Sequence, residues 1–184
     1  AWGQGFGYRW SSGCPALALQ QRGVSVKAID VSPLSCDAMR RRGIADVECI
    51  NLFDPRLGGG FDTILMLMNG TGIAGKMSGL GGLLRRVASL LAPGGQILID
   101  SSDLSYVYQD EDGGMDIDLS GKYYGEVDYQ MRYDRVEGLP FDWLYVDYPL
   151  LSAAAREAEL DCRLVAEGDH YDYLAQLSLE RTNP

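Results

Sequence analysis

The chain of 184 residues carries 26 acidic against 16 basic side chains, a net charge of −10 with its one histidine neutral. At 46% hydrophobic and 23% charged residues, with no apolar run of about 18 residues, it reads as one ordinary folded domain and excludes both a disordered chain and a helix-spanned membrane protein. The same charge argues against a nucleic-acid partner, because duplex affinity comes from clustered Lys and Arg that displace counterions. The one dense basic run, Arg40, Arg41 and Arg42, reads as the solvated end of a helix.

Four cysteines, Cys14, Cys36, Cys49 and Cys162, form no CxxC pair and have only His170 as a possible metal-binding companion, so no zinc site is expected. Scattered cysteines in a chain of this size are small buried apolar residues in a reducing compartment, and with no visible signal peptide the expected location is the cytoplasm. The chain opens on Ala1, which points to a processed or truncated start.

From Gly13 to about Asp103 helical stretches alternate with short apolar runs. Pro15 to Arg22 predicts a helix closed by Gly23, and Val24 to Asp30 a strand ending in a carboxylate. Ser32 and Pro33 cap and start a second helix that runs to Arg42, and Val47 to Leu52 predicts the next strand. Phe61 to Met68, the most apolar short run, predicts a buried central strand ended by Asn69-Gly70. Gly79 to Leu91 predicts a helix, broken by Pro93-Gly94-Gly95 before a strand over Gln96 to Asp100. Beyond Asp103 the chain turns rich in Tyr, Asp and Gly, with alternating stretches at Val127 to Tyr133 and Trp143 to Val146 that suggest antiparallel strands. Leu150 to Leu160 predicts an Ala-rich helix, and Cys162 to Leu179 a closing hairpin about Glu167-Gly168-Asp169.

This order resembles the class I S-adenosylmethionine-dependent methyltransferases over about nine tenths of the chain. The pieces that carry the likeness are SGCPALALQQRGVSVKAIDVSP (Ser12 to Pro33), FDTILMLMNG (Phe61 to Gly70) and LLAPGGQILID (Leu90 to Asp100). The resemblance implies a doubly wound Rossmann-like α/β sheet with a terminal antiparallel hairpin, S-adenosylmethionine as cofactor, and methyl transfer to a small molecule. It implies that Gly13, Asp30, Val31, Asn51, Leu52, Phe53, Asn69 and Gly70 line the cofactor. By chemistry alone Asp30 suits this place: a carboxylate ending the second strand accepts bonds from both ribose hydroxyls, although it would also serve as a loop acid or helix cap. Asn51-Leu52-Phe53 and Asn69-Gly70 read equally as strand-ending turns.

The glycine loop departs from the family pattern, which has Gly-x-Gly-x-Gly after an acidic residue. Counting back from Gly13, the earlier glycine positions fall on Ser11 and Arg9, and the acidic one on Gly7. Ala1 to Trp10 holds three glycines and no β-branched run, so the first strand is expected to be missing or degenerate.

No single catalytic residue is obligatory for methyl transfer, because the protein mainly positions the nucleophile and excludes water. Asp103, Tyr106, Tyr108 and the Tyr123-Tyr124 pair are candidates near the cleft. His170 is expected at the far end of the sheet. Eight tyrosines between Tyr106 and Tyr148 suggest that 104–148 is a substrate cap inserted in a single domain, or else an antiparallel extension with aromatic cross-strand pairs. Two other functions stay open: a nicotinamide-dependent oxidoreductase, since Asp30 would serve that ribose too, and a methyltransferase-like binding protein without catalysis.

Overall fold

A computed structural model describes residues 4–8 as backbone, and residues 14–110, 112, 114 and 121–179 with their side chains. In chain order the elements are β1 (Gln4–Tyr8), α1 (Cys14–Gln21), β2 (Ser25–Asp30), α2 (Pro33–Arg41), β3 (Asp46–Cys49), β4 (Phe61–Met66), α3 (Met77–Ala88), β5 (Leu91–Ser102), β6 (Glu126–Tyr129), β7 (Arg132–Tyr133), β8 (Val136–Glu137), β9 (Phe141–Leu144), α4 (Tyr148–Glu157), β10 (Leu160–Glu167) and β11 (Asp172–Leu179). Two short 3-10 turns, Gly70–Ala74 and Leu104–Tyr108, follow β4 and β5.

Seven strands form one sheet in the order β10-β11-β5-β4-β1-β2-β3. The five from β3 to β5 are mutually parallel, and β11 and β10 join antiparallel to them and to each other. The chain order reverses between β1 and β4, which places the topological switch point of this doubly wound sheet at their carboxyl ends.

Of the two expectations for the first strand, missing or degenerate, the second holds. Residues Gln4–Tyr8 pair with β2 on one side (Gly7↔Ala28) and β4 on the other (Gly7↔Leu65) and fill the centre of the sheet. The strand is degenerate only in sequence, with Gly5 and Gly7 and no β-branched residue. Pairing on both edges holds it there, because a gap at this point would leave two ladders of buried N–H and C=O groups unpaired.

Local sequence explains most of the remaining elements. Ser32 caps α2 by accepting the Ser35 N–H, with Pro33 next in line, and Gly43 at φ +92° closes the turn behind it. In α3 the buried residues Leu80, Leu83, Leu84 and Val87 follow the i, i+3, i+4, i+7 stripe. They cover β4 and β5 within the larger core, which also takes Phe61, Ile64, Met66, Ile97 and Ile99. A smaller core on α1 and α2 takes Ala16, Val26, Ala28, Cys36, Met39 and Ile44.

Two boundaries differ from the sequence reading. β5 begins at Leu91, so Pro93-Gly94-Gly95 lies within the strand as a register shift, with Gly94 at φ +78°, and does not separate helix from strand. β3 stops at Cys49, and Ile50 and Leu52 turn into the core. Between β5 and α4, β6 pairs with β9 and β7 with β8 in two small antiparallel sheets apart from the main one.

Candidate cofactor and substrate site

The carboxyl ends of β2, β3 and β4 gather the residues expected to line a cofactor, apart from Gly13, which lies outside the described residues. Asp30 ends β2 beside Cys49 of β3 and is buried, with 7% of its surface exposed. Its Oδ1 accepts the Ser32 N–H at 2.8 Å. Its Oδ2 has no hydrogen-bond partner among the described residues, which is an unusual state for a buried carboxylate. Below it the buried Cys36 thiol points at the Asp30 carbonyl, 3.5 Å away, and desolvation pushes that thiol up to about 11.

Val31, Phe53 and Met68 stand 54%, 48% and 61% exposed along this edge. Asn51 folds its Oδ1 back onto the Phe53 N–H at 2.8 Å, a local turn that presents the Phe53 ring. Leu52 is a core residue with 1% exposure, and its carbonyl accepts Arg86 Nε at 2.8 Å.

Asn69 and Gly70 follow the end of β4. Asn69 sits at φ +59° with its side chain turned inward: Nδ2 donates to the Leu144 carbonyl, and Oδ1 accepts from Thr71 Oγ1 and Ser101 Oγ. Gly70 is buried, and a Cβ there would lie 2.6 Å from Met66 Cβ, so the position needs glycine for packing.

A second group of candidate residues lies at the carboxyl end of β5. A cavity of about 640 Å³ at the carboxyl end of β5 is lined by Asp103, Asp147, Tyr148, Pro149, Glu167 to Asp169 and Tyr171 to Tyr173. Asp103 and Asp147 are joined by Tyr124, whose hydroxyl lies 2.8 Å from Asp103 Oδ1 and 3.1 Å from Asp147 Oδ2. Tyr123 donates to the same Asp147 oxygen at 2.7 Å. Burial raises both phenols, which keeps them protonated as hydroxyl donors. Tyr108 reaches the Tyr124 carbonyl at 3.4 Å, and Tyr106 stacks on Tyr171 at 4.8 Å. The candidates Asp103, Tyr106, Tyr108, Tyr123 and Tyr124 thus converge on one region.

His170 is corrected. β11 runs antiparallel to β5, with Asp172 opposite Ser102, so the turn that carries His170 lies at the carboxyl end of the parallel strands, on the cavity side. The side chain itself is exposed.

Sequence reading passed over Asp147, Asp100, Thr71 and Ser101. Asp147 carried a signal, an acid just ahead of Tyr148-Pro149 at a helix start, and it does cap α4 through the Leu150 N–H. Thr71 and Ser101 carried none, since small hydroxyl residues declare themselves only when the fold buries them together.

A parallel sheet in this order, closed by an antiparallel hairpin, with a buried acid ending its second strand, has the architecture of class I methyltransferases. No protein-family model matches the chain, and no curated protein matches it. Solved structures do. An S-adenosylmethionine-dependent methyltransferase from Bacteroides fragilis, in complex with S-adenosyl-L-homocysteine, is 49% identical over 97% of this chain and 73% of its own, with a TM-score of 0.89. The CcbJ methyltransferase from Streptomyces caelestis (14% identity, 97% and 84% covered, TM-score 0.70) and the sugar N-methyltransferase KedS8 from Streptoalloteichus (17%, 96% and 80%, TM-score 0.64) share the fold. The chain belongs to the S-adenosylmethionine-dependent methyltransferases, a family of enzymes defined by that cofactor. This leaves the nicotinamide reading without support.

Proposed function

We propose that the chain binds S-adenosylmethionine across the carboxyl ends of β1, β2 and β4 and methylates a small molecule held in the cavity beside β5. The observation that carries the cofactor half is Asp30, a buried carboxylate at the ribose position with one oxygen unengaged among the described residues, flanked by the exposed Val31 and Phe53 that suit an adenine face. Asn51 orients Phe53, Leu52 and Gly70 contribute backbone, and Asn69 braces the β4 turn from within. Gly13 completes the set by resemblance. When bound, the cofactor supplies a reactive methyl group on a good leaving group.

The chain's own residues then bind, orient and dehydrate the acceptor. Residues 104–148 act as a substrate cap, supported by Asp147 and Tyr148 in the cavity wall and by Tyr123 and Tyr124, whose hydroxyls bond the lining acids Asp103 and Asp147. Asp103 is the candidate general base for an acceptor protonated at neutral pH, with Tyr124 holding its carboxylate in place. A volume of 640 Å³ suits a small molecule, and a lining with five carboxylates and no basic side chain disfavours an anionic one. The sugar substrate named for KedS8 agrees with this size class. No described helix is long and apolar enough to cross a membrane.

Thermal shift with S-adenosylmethionine, S-adenosylhomocysteine and NAD, repeated on Asp30→Ala, tests the reading. Stabilisation by the two sulfur compounds that the variant loses is expected. A response to NAD alone, or an unchanged response in Asp30→Ala, overturns it.

A further inference from the structure

The end of β4 adopts a conformation its sequence does not favour. Met68 at φ +65° and Asn69 at φ +59° are consecutive left-handed residues, and neither is glycine. One side chain from the neighbouring strand accounts for this. Asp100, opposite the end of β4 where Met66 pairs with Ile99, accepts three successive backbone N–H groups: Met68 on Oδ2 at 3.0 Å, and Asn69 and Gly70 on Oδ1 at 2.7 and 3.3 Å. A carboxylate is the one side chain with enough lone pairs, and the charge, to gather three donors at once. The turn it gathers carries Met68 outward to 61% exposure and Asn69 inward to the Leu144 carbonyl, and so links the cofactor edge to the β9 end of the cap.

We propose that Asp100 is a positioning residue for methyl transfer: by clamping the amides of Met68 to Gly70 it fixes the β4 turn that shapes the methionine end of the cofactor site. It touches neither cofactor nor acceptor and acts through the turn. The inference rests on the cofactor reading above and adds to it a residue outside the set that lines the cofactor.

The test compares two probes by calorimetry: S-adenosylhomocysteine, which reaches the β4 turn, and adenosine, which ends at the Asp30 side. In Asp100→Asn, which removes the charge and one acceptor, the affinity for S-adenosylhomocysteine is expected to fall about tenfold or more while that for adenosine stays within about threefold. Adding Met68→Gly, which takes a left-handed φ without strain, is expected to restore part of the loss. Equal losses for both probes, or no loss for either, overturn the proposal. Binding of neither probe by the unaltered chain overturns the cofactor reading and this inference with it. Should Asp100→Asn not fold, amide exchange in the unaltered chain decides: the N–H groups of Met68, Asn69 and Gly70 are expected to be protected, and exchange at unfolded-peptide rates overturns the clamp.

Discussion

Single side chains at this site owe their state to what surrounds them. Asp100 is half-buried, and desolvation holds its carboxyl above the usual carboxylate range even against the three N–H groups that pull it down. A carboxyl raised in the folded state binds its proton more tightly there than in the unfolded chain. Its contribution to stability is therefore full below the unfolded value and is lost as pH rises through the folded value. Urea titrations of the native chain and Asp100→Asn between about pH 3 and 7 should diverge in that direction, the native chain losing stability relative to the variant as pH rises. A parallel or reversed pair of curves would contradict the assignment. The cysteines divide by the same rule of environment. Cys36 is sealed beneath Asp30 with its thiol pushed up to about 11, whereas Cys14 and Cys49 are exposed. A thiol reagent at neutral pH should modify Cys49 well before Cys36, followed by mass spectrometry of the peptides.

Elements depend on burial more than on intrinsic preference. α3 contains Gly79, Gly81 and Gly82, poor helix formers, yet it forms because four apolar side chains on one stripe lie on β4 and β5. Leu84→Ala, at a fully buried position, is expected to cost about 2–5 kcal/mol in urea unfolding. Leu34→Ala in α2, at 82% exposure, should change stability by no more than about 0.5 kcal/mol. Comparable costs would mean that the two helices pack otherwise. The 3-10 turn after β4 is fixed the same way: a Cβ on Gly72 would fall 2.0 Å from the Trp143 ring, so the close seat of β9 on this turn requires glycine.

Across the whole molecule, the sheet gathers the candidate site at one edge, and the segment between β5 and α4 carries two small antiparallel sheets apart from it. Residues 130–140, which carry the β7–β8 hairpin, are exposed throughout, so they add little to the folded core. Replacing them with a short Gly-Ser link should leave the melting temperature within about 2 °C and cofactor affinity unchanged. A large drop would show that the hairpin braces the cap and not only extends it. The inner part of the cap is different, because Leu144 and Val146 are buried and tied to Thr71 and Ser101 by hydrogen bonds of 3.0 and 2.9 Å.

Much of this was legible in the amino-acid order. Periodicity and turn residues located β2, α2, β4, α3 and the terminal hairpin, and a strand ending in an acid marked Asp30, because each of these signals is local. β1 was not legible: QGFGY has no strand preference of its own, and only pairing with β2 and β4 on both edges makes it the central strand. The side of the sheet that His170 occupies followed from the antiparallel entry of β11, a matter of long-range register. Asp100 lies two residues before the end of β5 and Asp30 ends β2, yet one carboxylate clamps a neighbouring turn and the other keeps an oxygen unengaged among the described residues. That difference lies in which backbone amides the fold brings within 3 Å, and distance across strands is set only when the sheet assembles.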